Sequence, residues 1–239
     1  MADAKDSLLV FLLMGQSNLA GRGVLDTPSP AKDERIVVYR DGGWVTASEP
    51  LHSDPRGWAG AGLGMSFAQE LLRRLPNRSI GLIPCAVGGS PLADWMPGAP
   101  LYSQTLATAR AALNGQSLAA GLWHQGETDG ESEADAHSYL TRARVLFASL
   151  RSDLPSPHAA IIIGELGRYL AKSAEIPWSE TVNDALRTLA VETSRGALVS
   201  SEGLTHRGDH LHFDTPSLRT FGTRYARAYL SVATDIPGS

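Results

Sequence analysis

Short runs of consecutive apolar residues recur along this 239-residue chain, separated by stretches in which apolar positions return every three or four residues. Uninterrupted runs suit strands buried on both faces of a parallel sheet, and the three-to-four spacing builds one apolar face of a helix. The pattern predicts core strands at 8–14, 80–85, 118–123, 159–164 and 197–200, with an edge or excursion strand at 36–39. Phe67, Leu71 and Leu75 predict one helix, with Glu70 and Arg74 paired across a turn; Ala136, Leu140, Ala143, Phe147 and Leu150 predict another. A last helix is expected to start with Thr215 as its cap and Pro216 at its first position, carrying the stripe Leu218, Phe221, Tyr225 and Tyr229. The polar, Gly- and Pro-rich segment 21–64 reads as loops laid over one end of the sheet. With no repeat and no dividing linker, residues 1–239 read as one α/β domain: a three-layer α/β/α sandwich around a mainly parallel five-stranded sheet.

Composition narrows the partners. Hydrophobic residues make up 43% and charged residues 19%, enough for a sizeable core. A net charge of −4 without any Lys/Arg block argues against a nucleic-acid partner. The one cysteine, Cys85, forms neither an intrachain disulfide nor a cysteine zinc framework, and its place at the end of an apolar run reads as packed rather than reactive. The run 8–14 lacks a basic leader and a cleavage pattern and is too short to cross a membrane. It reads as a strand, with no membrane partner; the default location is cytoplasmic, with secretion open if a leader has been removed.

Three constellations carry candidate chemistry. Gly15-Gln16-Ser17-Asn18 follows the first strand, so Ser17 would lie in the crevice where open α/β sheets bind ligands, a good place for a nucleophile; Ser17 and Asn18 read equally as turn or cap residues. Leu19 stands where the second glycine of a Gly-x-Ser-x-Gly elbow belongs. Asp209 and His212, three apart before the last helix, can place a carboxylate on Nδ1 of a general base, and the facing favours His212 over His210. The alternatives are a polar cap, or a metal site from His206, Asp209, His210, His212 and Asp214; the latter lacks a recognised ligand spacing and a distant partner, so no metal is expected. Finally, Gly88-Gly89-Ser90 and His124-Gln125-Gly126-Glu127 each follow a middle strand, so the Gly89 N–H and the Gln125 side-chain amide can hold a tetrahedral oxyanion; a tight turn and a satisfied buried carbonyl are the plain alternatives. Trp44, Trp58, Trp95, Trp123 and Trp178 could each stack on a sugar ring or fill the core, with Trp95 the first binding candidate because it follows the Gly89 loop, and Arg22 and Arg56 could hold an acidic sugar or a structural carboxylate.

Taken in order, Gly15-Gln16-Ser17-Asn18-Leu19-Ala20-Gly21-Arg22, Gly62-Leu63-Gly64-Met65-Ser66-Phe67-Ala68, Gly88-Gly89-Ser90 with Trp95, Trp123-His124-Gln125-Gly126-Glu127 and Asp209-His210-Leu211-His212-Phe213 resemble the SGNH hydrolases. Within them the likeness is to carbohydrate esterase family six, the acetylxylan esterase and sialate O-acetylesterase-like group. The resemblance implies a flavodoxin-like α/β/α fold, no cofactor, and a serine esterase that removes acetyl groups from small or oligomeric sugars through an acetyl-enzyme. Carried over, Ser17 is nucleophile, His212 base and Asp209 its orienter, with the Ser17 N–H, Gly89 N–H and Gln125 side chain as oxyanion donors. The wider superfamily has asparagine where this chain has Gln125. Glu127 either supports the site or competes with Asp209 for the histidine, with support favoured; Gln16, Asn18 and Trp95 are further candidates for support or substrate contact. Two other readings are a noncatalytic carbohydrate-binding domain on a hydrolase scaffold and a lipase- or thioesterase-like acyl hydrolase. Oligomeric state is not read from the sequence.

Overall fold

The computed structural model describes residues 8–25, 32–54 and 56–233. The first apolar run is strand β1 (Leu8–Gly15), followed at once by the one-turn helix α1 (Ser17–Ala20). Then come β2 (Ile36–Arg40), β3 (Gly43–Thr46), α2 (Gly64–Arg74), β4 (Ser79–Pro84) and α3 (Pro100–Leu113). The chain continues through β5 (Ala120–His124), α4 (Glu133–Asp153), β6 (Ala160–Gly164), α5 (Ser179–Glu192), β7 (Gly196–Val199) and α6 (Thr215–Val232). None of the described helices is long and apolar enough to cross a membrane.

The strands form one sheet in the order β3-β2-β4-β1-β5-β6-β7, parallel except for the β2–β3 hairpin. Described strands thus number seven where five were expected. The segment 21–64 is not all loop. It contributes β2, the expected excursion strand, and β3, which the apolar pattern missed because Gly43-Trp44-Val45-Thr46 is short and half-exposed. A turn at Asp41 (φ 51°) and Gly42 (φ 80°) makes the hairpin, and Asp-Gly with both φ positive is the preferred two-residue hairpin turn.

Alternation along β1 divides the core. Val10, Leu12 and Met14 pack with residues of α3, α4 and α5, while Phe11 and Leu13 pack with Phe67 and Leu71 of α2 and Leu218, Phe221, Tyr225 and Tyr229 of α6. Helices therefore cover both faces, the expected three layers. In α4 the buried stripe runs through Ala136, Tyr139, Ala143, Leu146, Phe147 and Leu150, with Leu140 only partly buried. Glu70 meets Arg74 at 3.4 Å as expected, but binds Arg73 more closely, with two contacts of 2.8 Å, and reaches Arg227 of α6 at 3.3 Å. The cap of α6 is Asp214 rather than Thr215: its carboxylate accepts the Ser217 N–H at 2.8 Å, while the Thr215 hydroxyl donates to the Val24 carbonyl.

Strand β1 lies in the middle of the sheet; β2 and β3 form one edge with β4 filling the place beside β1, and β5, β6 and β7 build outward in turn to the other edge. The topological switch falls at β4-β1-β5, and open α/β sheets bind ligands at the carboxyl ends of such strands. The loops bearing Ser17, Gly89 and Gln125 leave these three strands.

Candidate active site

Gly15 ends β1 with φ at 133°, and a Cβ there would lie 2.0 Å from the His124 carbonyl oxygen. Only glycine permits this close approach, which lets the Gln16 N–H donate to that carbonyl at 2.9 Å and turns the chain sharply into α1. Ser17 is the first helical residue and 6% exposed, so its N–H belongs to the turn that has no intrahelical acceptor.

Ser17 Oγ lies 3.0 Å from His212 Nε2, although the residues are 195 apart in sequence. His212 Nδ1 lies 2.8 Å from Asp209 Oδ2, and Asp209 Oδ1 accepts the N–H groups of Leu211 (3.0 Å) and His212 (2.8 Å). One short turn thus aims a carboxylate at the imidazole. Burial works against ionisation of Asp209, yet the His212 N–H, the ring and the Leu211 N–H outweigh it and hold the carboxyl below the ordinary carboxylate range. An acceptor-only carboxylate on Nδ1 places the ring proton there and leaves Nε2 to accept from the Ser17 hydroxyl. His210, the rival base, adopts φ 59° and packs against His206 with ring centroids 4.2 Å apart and planes tilted by 38°. Among the described residues, no three His, Cys, Asp or Glu side chains converge as a metal site, the loop histidines included.

The loop after β4 is tied to the end of β1 by the Val87 N–H, which donates to the Gly15 carbonyl at 2.9 Å. Gly89 has φ 74° with open space around a would-be Cβ, so conformation and not crowding calls for glycine. Trp95 is 1% exposed; its indole N–H donates to Ser90 Oγ at 2.9 Å, and its ring meets Trp123 edge-on. It buttresses the loop from within the core, the core-packing alternative of the two open for this residue. The exposed tryptophan is Trp58, at 60%, with the Arg56 guanidinium 4.3 Å above its ring and reaching the Gly88 carbonyl at 3.5 Å. Trp58 and Trp95 are both stacking candidates along the chain, because apolar patterning does not separate a core indole from a rim indole. Arg22 is buried and bonds Asp54 at 2.9 Å, the structural-carboxylate alternative.

Gln125 departs from expectation. It is fully buried, and its amide nitrogen has three acceptors in reach: Asp129 Oδ2 at 2.6 Å, Ser90 O at 3.1 Å and Gln16 Oε1 at 3.2 Å. Two amide hydrogens facing three protein acceptors leave none for an oxyanion. Its Oε1 meets the Tyr139 hydroxyl at 2.8 Å, and Asp129 is held by Arg142 at 2.9 Å and the Leu92 N–H at 2.8 Å. This buried network has no periodic signature in the chain. Gln16, 3% exposed, has its Oε1 pinned by the Gly126 N–H and by Gln125, both at 3.2 Å, while its amide nitrogen hydrogen-bonds to no other described residue.

Glu127 is 1% exposed and accepts from Asn18 Nδ2 at 2.6 Å, with His124 Nε2 at 3.3 Å. Burial opposes its ionisation, but His124 and Asn18 hold the carboxyl below its ordinary range. The acid on His212 Nδ1 is Asp209, so Glu127 does not occupy that position. Cys85 lines a neighbouring cavity with His52 and Thr105, and burial pushes its thiol up to about 12, an unreactive state at neutral pH.

The family described as carbohydrate esterase, sialic acid-specific acetylesterase matches residues 7–231. An Arabidopsis thaliana protein named "Probable carbohydrate esterase At4g34215" is 35% identical over 245 residues, spanning 93% of this chain and 90% of that protein. Its crystal structure aligns with a TM-score of 0.84 at 31% identity, covering 94% of this chain and 98% of that one. NanS aligns at 0.76 with 19% identity, covering 95% and 97%. The carbohydrate acetylesterase XAC1771 of Xanthomonas citri aligns at 0.71 with 19% identity, covering 94% of this chain and 56% of that one. At 19% identity the last two likenesses establish the shared fold. The resemblance read from the ordered motifs is therefore met by the family match along nearly the whole chain, and this chain belongs to the carbohydrate esterase, sialic acid-specific acetylesterase family of carboxylic ester hydrolases.

Proposed function

We propose that the protein hydrolyses O-acetyl esters of carbohydrates through a Ser17–His212–Asp209 triad and an acetyl-enzyme. The observation that carries the reading is the relay of 3.0 Å from Ser17 Oγ to His212 Nε2 and 2.8 Å from His212 Nδ1 to Asp209. Ser17 Oγ attacks the acetyl carbonyl as its proton passes to His212 Nε2, and Asp209 stabilises the imidazolium. The tetrahedral oxyanion is held by the N–H groups of Ser17 and Gly89. Collapse breaks the acyl–oxygen bond, and His212 returns the proton to the departing sugar oxygen. Water, deprotonated by the same nitrogen, then attacks acetyl-Ser17 and releases acetate. Each proton moves among Ser17, His212, the leaving oxygen and water, so the cycle calls for no cofactor.

The side-chain donor in this reading is Gln16 rather than Gln125. It adjoins the nucleophile, its carbonyl end is anchored, and its amide hydrogens have no acceptor among the described residues. Gln16→Ala is expected to lower kcat for an acetyl ester by on the order of 10²–10³, the usual cost of removing one oxyanion donor. Unchanged turnover would remove Gln16 from the mechanism.

The substrate class rests on family membership, and the exposed Trp58 beside Arg56 is a platform of the kind sugar rings stack on. Acetate release from O-acetylated sugars, compared with hydrolysis of matched octanoyl esters, tests it. Acetyl esters are expected to be the better substrates by kcat/KM; a preference for octanoyl esters would instead favour the lipase-like alternative.

A further inference from the structure

We propose that Asn18 is a positioning residue that sets the place of His212 against Ser17, and that the buried carboxylate of Glu127 fixes the orientation of the Asn18 amide. The inference rests on the Ser17–His212–Asp209 reading and adds to it the device that holds two chain-distant groups in register.

Asn18 follows the nucleophile directly and is 1% exposed. Its Oδ1 accepts the Phe213 N–H at 3.0 Å, and its Nδ2 lies 3.3 Å from the Leu211 carbonyl. Those residues flank His212, so one side chain grips the backbone on both sides of the base. The Tyr169 hydroxyl also donates to the Leu211 carbonyl, at 3.0 Å, steadying the same strand of loop. The route from Ser17 Oγ to His212 Nε2 thereby runs through one peptide unit and one amide, and does not depend on accumulated tolerances across the sheet.

A primary amide can be turned end for end, and the turned form would be damaging here. It would set NH₂ against the Phe213 N–H, and oxygen against both the Leu211 carbonyl and Glu127. Glu127 Oε1, which as a carboxylate oxygen only accepts, meets Asn18 Nδ2 at 2.6 Å and admits just one orientation. Glu127 is carried to this point by the turn after β5, where His124 flanks it at 3.3 Å. Its Oε2 is buried with no hydrogen-bond partner among the described residues, so its polar contacts are concentrated on Oε1.

The test exchanges polarity across the 2.6 Å contact. Asn18→Asp sets a carboxylate against a carboxylate and is expected to lower kcat for p-nitrophenyl acetate by about 10–100-fold with KM nearly unchanged, the scale of loss from a misplacement near 1 Å. The double variant Asn18→Asp with Glu127→Gln restores a donor facing an acceptor and leaves an oxygen for the Phe213 N–H. It does not restore the contact to the Leu211 carbonyl, which keeps the Tyr169 hydroxyl as donor, and is expected to recover part of the loss, about threefold or more. A residue needed only for folding would not show a kcat loss at constant KM that a reversed pair rescues. Asn18→Asp as active as wild type, or a folded double variant no better than the single, would overturn the proposal while the esterase reading stands. Wild-type protein inactive on every acetyl ester would overturn the esterase reading and the clamp with it. Should Asn18→Asp not fold, Asn18→Ala replaces it, with about a tenfold fall in kcat expected and equality with wild type overturning the clamp.

Discussion

Ser17→Ala is expected to lower kcat for p-nitrophenyl acetate by on the order of 10⁶-fold, the scale seen when the nucleophile of a serine hydrolase is removed. The substitution deletes one hydroxyl whose partner is His212 Nε2 at 3.0 Å, on a residue already 6% exposed, and opens little space. The fold should survive, since one hydrogen bond contributes about 1 kcal/mol. What disappears is the acyl-enzyme route. Any remaining rate would come from water attacking an ester still polarised by the backbone donors. Initial rates and thermal melts of matched preparations check both halves: a variant that melts like wild type and keeps its rate would sink Ser17 as nucleophile.

The second large effect concerns the tautomer of His212. Asp209→Asn is expected to reduce kcat by on the order of 10⁴, as the equivalent change does in a serine protease. Asp209 Oδ1 is engaged by the Leu211 and His212 N–H groups at 3.0 and 2.8 Å, so asparagine must keep its oxygen there and turn its NH₂ toward His212 Nδ1. That nitrogen then becomes the acceptor, the ring proton moves to Nε2, and Nε2 can no longer take the Ser17 proton. The mechanism is one of tautomer and not of Coulomb attraction, so partial exposure of Asp209 does little to soften it. Measured beside Glu127→Gln, the result also separates the two carboxylates: a large loss in Glu127→Gln with near-normal Asp209→Asn would reverse their roles.

Much of the site is legible along the chain because its pieces are local. Ser17 follows an uninterrupted apolar strand, and Asp209 and His212 are joined by a turn whose hydrogen bonds lie within three residues. Gly89 offers an unobstructed N–H, and its positive φ is a second reason for glycine there. Where neighbouring residues leave two readings open, distant contacts choose between them. Gln125 reads as a free amide until Asp129, Ser90 and Gln16 are seen to take its hydrogens. Trp95 and Trp58 look alike in sequence, yet one closes against Trp123 and the other stands at the rim. Strand β3 carries no apolar run because an edge strand need not be apolar, though Asp41-Gly42 marks its turn.

Sequence by itself determined the α/β class, the order of β1, β4 and β5 along the chain, and which serine and which Asp-x-x-His turn stand as candidates, since apolar runs, periodic faces and short-range spacing are properties of neighbouring residues. Tertiary structure alone decided the competition between Asp209 and Glu127 for His212, the loss of Gln125 to a buried network, and the meeting of Asn18 with Phe213 across 195 residues. A buried polar group must find partners wherever the fold brings them. Which partners those are depends on the packing of the sheet and its loops, and that is settled in space and not along the chain.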